Sequence, residues 1–141
     1  MSEEKAENAA AFFTPEWFAQ EQARRMVSPR GRLMIAGCAS GTYLSSQVVT
    51  RYQELLAEAG SRAEVLHLPD IDRRFSDTET LVRLEKHVGG YDVFLFQGLI
   101  DPNSERSIDQ NYMAFFIAAH TFREHGANHV TGVLPYLAYA R

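Results

Sequence analysis

Two patterns of apolar and polar residues alternate along this chain and predict strands and helices in turn. Four short apolar runs are bounded by Gly, Pro or Asp, which is typical of buried parallel strands. They occupy residues 33–38, 63–68, 92–97 and 130–134. Residues 42–60 and 105–125 carry apolar side chains at helical spacing and predict two helices. The apolar side of the first is expected to carry Leu44, Val48, Tyr52 and Leu55, and the inner side of the second Met113, Phe116, Ile117, His120 and Phe122. This alternation indicates an α/β fold with a doubly wound, mainly parallel sheet.

Residues 73–85 interrupt the alternation of strands and helices. A polar, turn-like segment at 73–79 is followed by alternating apolar and polar residues at 80–85. This order predicts an antiparallel hairpin inserted into the parallel fold.

The first part of the chain differs from the rest. Its beginning is rich in Ala and Glu, and Thr14 followed by Pro15 predicts a helix that runs to about Val27. The apolar residues of this helix are only loosely periodic, so we expect an appendage that packs on the main body or on a partner. The predicted organisation is an N-terminal helical extension at 1–31 and one α/β domain at 32–141.

Composition and charge narrow the possible functions. A chain of 141 residues with 45% hydrophobic content can bury the core of one domain. Its net charge of -4 provides no positive field for nucleic acid. No apolar run approaches the roughly 20 residues that cross a bilayer, and the acidic start lacks the basic flank of a signal peptide. We therefore expect a cytoplasmic protein that binds neither nucleic acid nor a membrane.

Three features that suggest chemistry have simpler explanations. Cys38 ends an apolar run, where a buried small residue is more common than a nucleophile. The loop at 37–42 precedes a helix and could hold a phosphate, but it lacks the motif of a P-loop or a dinucleotide site, which favours an ordinary tight turn. Gly126 separates His125 from His129 and should end the helix, so we predict no zinc site.

The most informative segment is residues 74–79, where an aromatic ring stands beside acidic and basic groups. Phe75 could stack on a base, while Asp77 and Glu79 could accept hydrogen bonds from an exocyclic amino group or from ribose hydroxyls. Composition alone favours a different interpretation, a solvated turn whose Phe75 ring packs into the core.

Three segments of the chain resemble, in the family's order, the signatures of ribose-phosphate pyrophosphokinases. They read RFSDTE at 74–79, YDVFLFQ at 91–97 and LPYLAYAR at 134–141. Three matches in order are more specific than any single one. The resemblance covers about residues 33–141 and corresponds to the first of the family's two phosphoribosyltransferase-like domains.

The resemblance implies an activity and a site. The family transfers the pyrophosphoryl group of Mg-ATP to the anomeric hydroxyl of ribose 5-phosphate, which yields phosphoribosyl pyrophosphate and AMP for nucleotide synthesis. By this resemblance Phe75, Asp77 and Glu79 hold adenine in one subunit, and Arg141 approaches ATP from the adjacent subunit. The site then requires a homo-oligomer, and Mg²⁺ arrives with ATP.

The chain also departs from the family pattern. Thr78 stands where the family usually has Gly, and His87 and Gly89 replace a Ser and an Arg that are associated with phosphate or ADP regulation. Ala114 occupies a position where an acidic residue is common. The family's magnesium-binding histidine, catalytic Lys and Arg loop and paired acids have no counterpart here, so we expect no catalytic residue, no metal ligand and no turnover from this chain alone.

Two other interpretations remain open on the sequence. One is a non-catalytic regulatory or assembly module related to the same family, which the altered loops and the N-terminal helix suggest. The other is a generic flavodoxin-like domain, which explains the periodicity but leaves the three ordered motifs to chance.

Overall fold

A parallel sheet lies at the centre of the fold. The computed structural model describes residues 15–16 and 27–141. The strands are β1 (Val27–Ser28), β2 (Gly31–Gly37), β3 (Leu66–Leu68), β4 (Asp72–Arg74), β5 (Thr80–Val82), β6 (Tyr91–Phe96) and β7 (His129–Val133). The helices are α1 (Thr42–Glu58), which follows a single 3₁₀ turn at Ala39–Gly41, and α2 (Ile108–Glu124).

Strand β2 occupies the middle of the sheet. It pairs in parallel with β3 on one side and with β6 on the other, and β6 pairs in parallel with β7. The chain thus leaves β2 for β3 and then returns to the opposite side for β6. The carboxyl ends of β2 and β6 therefore form a topological switch point, where open α/β sheets place their ligands. The predicted doubly wound, mainly parallel sheet is confirmed.

Two further pairings complete the fold. The antiparallel pair β4–β5 forms a separate two-stranded sheet and confirms the predicted hairpin. Strand β1 pairs antiparallel with the start of β2, with Val27 opposite Arg32. The predicted N-terminal helix lies mostly outside the described residues, although Pro15 and Glu16 are helical. Val27, its expected end, belongs to β1 instead.

The sheet buries apolar side chains on both faces because successive residues of a strand point to opposite sides. Met34 and Ala36 of β2 contribute to a core that also contains Phe122 of α2. Ile35 faces the other way and packs with Val49 of α1. None of the helices in the described part of the chain has the length and hydropathy of a membrane span.

Helix α2 begins at a capping box. The Ser107 hydroxyl accepts a hydrogen bond from the Gln110 N–H at 3.2 Å, and the Gln110 side chain accepts one from the Ser107 N–H at 3.0 Å. This reciprocal cap explains why the helix starts at Ile108 rather than at about residue 105.

The prediction of which residues form the inner face of α2 is largely wrong. Met113 and Phe116 were expected to face inward, yet each is 56% exposed. The buried side chains of the helix are Asn111, Ala114, Ala118 and Phe122. Apolar residues occur on more than one side of this helix, so periodicity does not select a face. The small Ala side chains allow the helix to approach the sheet closely, and the large residues remain outside.

Candidate functional site

The hairpin turn between β4 and β5 carries the predicted adenine-binding residues. The Phe75 N–H donates to the Glu79 carbonyl at 2.9 Å and closes the turn. The Asp77 carboxylate accepts a hydrogen bond from the Glu79 N–H at 3.1 Å, which holds that carboxylate in place. Phe75 is 51% exposed, so its ring does not pack into the core. The turn presents an aromatic ring and two exposed acidic residues to solvent.

A buried ion pair supports the base of this hairpin. Asp72 begins β4, and its carboxylate accepts a hydrogen bond from the Ala39 N–H at 2.6 Å. The same carboxylate pairs with Arg106, and the two side chains are only 11% (Arg106) and 0% (Asp72) exposed. Because low exposure reduces solvent screening, this pair is a strong constraint. It ties the hairpin both to the loop after β2 and to the segment before α2.

Three backbone amides of the loop at 37–42 donate to acceptors within the protein. The Cys38 N–H donates to Phe96, the Ala39 N–H to Asp72 and the Gly41 N–H to Cys38. These N–H groups are therefore not available to a phosphate, which agrees with an ordinary tight turn. Burial, followed by the negative charge of Asp72, raises the pKa of the Cys38 thiol. A thiol of raised pKa is a poor nucleophile.

Arg141 lies elsewhere, beside the start of α2. It lines a cavity of about 360 Å³ with Ile108, Tyr136, Ala138 and Tyr139. Two hydrogen bonds hold this segment on α2, because the Tyr112 hydroxyl donates to the Ala138 carbonyl at 2.8 Å and the Tyr139 hydroxyl donates to Asp109. The bond to Asp109 raises the pKa of Tyr139. Phe75, Asp77 and Glu79 are not among the lining residues, so the predicted site residues occupy two separate places on the chain.

Both places lie within a segment of the chain that matches a known protein family. The sequence model of the N-terminal domain of ribose phosphate pyrophosphokinase matches residues 33–141. This match spans both helices, the hairpin and the segment that ends in Arg141, and of the sheet it leaves out β1 and the first two residues of β2.

The chain belongs to the ribose-phosphate pyrophosphokinase family. Similar proteins include a ribose-phosphate pyrophosphokinase from Campylobacter jejuni, 31% identical over 79% of this chain and 31% of that protein. Another from Bradyrhizobium diazoefficiens is 35% identical over 60% of this chain and 26% of that protein. The chloroplastic ribose-phosphate pyrophosphokinase 2 of Oryza sativa is 38% identical over 49% of this chain and 16% of that protein. The matches thus cover less than a third of the length of these relatives.

The sequence patterns of this pyrophosphokinase domain did not identify the residues that position the hairpin. Asp72 and Arg106 are 34 positions apart, and neither stands in a motif that marks an ion pair. The sequence patterns also did not identify a row of three aromatic rings. The Tyr112 ring stacks on that of Phe116, with 5.5 Å between ring centroids, and on that of Tyr139, with 6.0 Å. Only the helical spacing of Tyr112 and Phe116 could have indicated part of this row.

Thr78 has the backbone conformation that glycine prefers. Its φ is 76°, in the left-handed region, at the turn position where the pyrophosphokinases usually have Gly. This conformation costs a residue with a Cβ about 1–2 kcal/mol. Glycine loses about 0.5–1 kcal/mol more backbone entropy on folding, which offsets part of the gain. We therefore expect Thr78→Gly to raise the free energy of unfolding in urea by about 0.5–1 kcal/mol.

The control is Thr80→Gly in β5. Thr80 is not among the residues with positive φ, so glycine brings no relief there and should lower stability by about 1 kcal/mol. A loss of stability in both variants would show that the Thr78 backbone is not strained.

Proposed function

We propose that this chain is the nucleotide-binding and oligomerisation domain of a ribose-phosphate pyrophosphokinase. The complete enzyme would convert Mg-ATP and ribose 5-phosphate into phosphoribosyl pyrophosphate and AMP in the cytoplasm, for nucleotide biosynthesis. The observation that carries the proposal is the exposed Phe75 ring beside Asp77 and Glu79 on a hairpin that a buried ion pair anchors. The proposed domain comprises residues 32–141, and residues 1–31 form an extension.

The chemistry of the turn suits an adenine nucleoside. A base stacked on an aromatic ring contributes about 1–3 kcal/mol, and the Phe75 ring is accessible for this contact. The carboxylates of Asp77 and Glu79 are hydrogen-bond acceptors, which suits an exocyclic amino group and ribose hydroxyls. Arg141 would approach the phosphates of ATP from an adjacent subunit, because it lies apart from the turn within one chain. The proposed site therefore needs a homo-oligomer.

The described residues bind no metal by themselves in this proposal. They contain no group of three or more His, Cys, Asp or Glu side chains arranged to hold a metal ion. Mg²⁺ would therefore be held mainly by the phosphates of ATP. We propose that the chain alone binds nucleotide without turnover, since it spans less than a third of the relatives described above.

A second candidate function is a non-catalytic assembly module related to the family. Thr78 favours it, because a residue with a Cβ stands in a left-handed position at the centre of the proposed adenine turn. His87 and Gly89, which replace a regulatory Ser and Arg, point in the same direction. Such a module would form oligomers without binding ATP.

Calorimetric titration of Mg-ATP and ADP into the chain tests the first proposal. We expect saturable binding that weakens about ten-fold in Phe75→Ala, the equivalent of about 1.4 kcal/mol of lost stacking. Tyr43→Ala is the matched control, because Tyr43 is a 78% exposed aromatic residue on α1 outside the turn. The affinity of the Tyr43→Ala variant for Mg-ATP should stay within about two-fold of that of the unmodified chain.

Light scattering on the same samples measures the oligomeric state, and the titration then separates the two functions. Oligomers that bind ATP through Phe75 support the nucleotide-binding domain. Folded oligomers that bind no nucleotide support the assembly module.

A further inference from the structure

A cavity of about 400 Å³ opens between the end of β3 and the outer face of the β4–β5 hairpin. Its basic lining residues are His67, Arg73, Arg83 and Lys86. None of the proposed nucleotide-binding residues Phe75, Asp77, Glu79 and Arg141 lines it, and neither do His87 and Gly89. This cavity is therefore separate from the site proposed above.

The strand pairing explains why cations collect on this face. Arg73 of β4 lies opposite Leu81 of β5, and Asp72 lies opposite Val82. Asp72 is buried and Val82 packs against the core, so the alternation of the strands turns Arg73 and Leu81 outward. Arg83, two residues after Leu81, continues the outer face and also lines the cavity.

Only part of this positive charge is neutralised by the protein. Arg73 pairs with Asp70 at 2.9 Å, whereas Arg83 and Lys86 form no ion pair with any described residue. Glu85 is the other acidic residue of the lining. Three cations, Arg73, Arg83 and Lys86, against two carboxylates leave the lining with a net positive charge.

His67 adds a hydrogen-bonding group to the lining. The Ser45 hydroxyl donates to the Thr42 carbonyl at 3.0 Å and lies 3.2 Å from His67 Nε2. Burial, followed by the charge of Lys86, lowers the pKa of His67. Lys86 lines the same cavity as His67.

We propose that this cavity binds the phosphate group of a small anionic ligand through Arg83 and Lys86. A guanidinium presents paired donors to two phosphate oxygens, and an ammonium supplies a mobile point charge. Arg73, held by Asp70, borders the site and adds to its positive potential. This inference does not depend on the proposed nucleotide site, since the two share no residue.

Titration with inorganic phosphate at constant ionic strength, followed by NMR, tests the proposal. We expect saturation in the millimolar range and at least about ten-fold weaker binding by Arg83→Gln/Lys86→Gln. The charge-matched control is Arg51→Gln/Arg62→Gln, which changes two exposed arginines outside the cavity lining. Its affinity for phosphate should remain within about two-fold of that of the unmodified chain. Absence of saturation, or equal weakening in both double variants, would overturn the proposal.

The imidazole of His67 provides an independent readout. A bound phosphate neutralises the field of Lys86, so the NMR-measured pKa of His67 should rise when phosphate is added. An unchanged pKa at saturating phosphate would place the anion elsewhere and contradict the proposed site.

Glycerol 3-phosphate identifies the source of the phosphate group. Tighter binding of this monoester than of inorganic phosphate assigns the cavity to an esterified ligand, and weaker binding assigns it to the free ion. Phe75→Ala should keep full phosphate affinity in either case. Loss of ATP binding and loss of phosphate binding therefore report on different sites.

Discussion

Replacing Arg106 by Met is expected to lower the free energy of unfolding by about 3–5 kcal/mol, because the substitution leaves a buried carboxylate without its partner. The Asp72 side chain is 0% exposed, so water cannot take over the role of the guanidinium. Methionine keeps most of the apolar stem, which separates the loss of charge from the loss of packing. Urea unfolding followed by circular dichroism measures the change.

A double-mutant cycle isolates the ion pair. Asp72→Asn keeps an oxygen that can accept from the Ala39 N–H, and the double variant Asp72→Asn/Arg106→Met should recover much of the stability that Arg106→Met loses. Arg51→Met is the exposed control. Its ion pairs with Glu54 and Glu58 are largely solvated, so it should cost less than about 0.5 kcal/mol. A loss below about 1 kcal/mol for Arg106→Met would show that the buried pair contributes little.

Replacing Gly41 by Ala is expected to destabilise the chain by about 3 kcal/mol, at the upper end of the usual cost of overpacking. A Cβ at this position would overlap the carbonyl of Phe96 and lie 2.8 Å from the backbone nitrogen of Gln97. These are backbone atoms at the end of β6, so no side-chain rotation relieves the overlap. Thermal unfolding of the variant measures the loss.

Gly60→Ala separates steric overlap from backbone conformation. Gly60 has a φ of +64°, but a Cβ there would meet no atom within 4 Å. We therefore expect only the cost of a left-handed residue, about 1–2 kcal/mol. Gly41 has a φ of -107°, which alanine adopts readily, so its larger loss would come from contact alone. Equal losses in the two variants would contradict the close approach of the loop to β6.

Asp72 and Gly41 both take part in the contacts that hold the proposed nucleotide-binding turn in place. Asp72 begins the strand that leads to Phe75, and it also binds the loop that contains Gly41 through the Ala39 N–H. A shift of this loop would move the hairpin relative to the sheet. Variants at either position that remain folded should therefore bind nucleotide more weakly, without any change in Phe75 itself.

Much of the fold could be predicted from the sequence, because its strongest signals are local. The apolar run at 92–97 became β6, and the alternating residues after the turn became β5. The family assignment from three ordered motifs is confirmed by the match over residues 33–141. The roles of Phe75, Asp77, Glu79 and Arg141 in ATP binding stay predictions.

The sequence was a poor guide to which side of each helix faces the sheet. Leu44 and Leu55 were expected on the apolar side of α1, yet the buried residues of that helix are Ser45 and Val49. The buried face is therefore displaced by about one residue from the expected one. Ser45 is tolerated inside because its hydroxyl bonds to Thr42 and His67, contacts that periodicity cannot reveal.

The sequence by itself determined the order of strands and helices, the hairpin and the family, because each depends on residues close together along the chain. Tertiary structure alone decided the buried Asp72–Arg106 pair, the separation of Arg141 from the Phe75 turn and the basic cavity beside β3. These features join residues that are distant in the chain. Their energies depend on the distance between charges and on their exposure to water, which are set only when the sheet, the hairpin and α2 pack together.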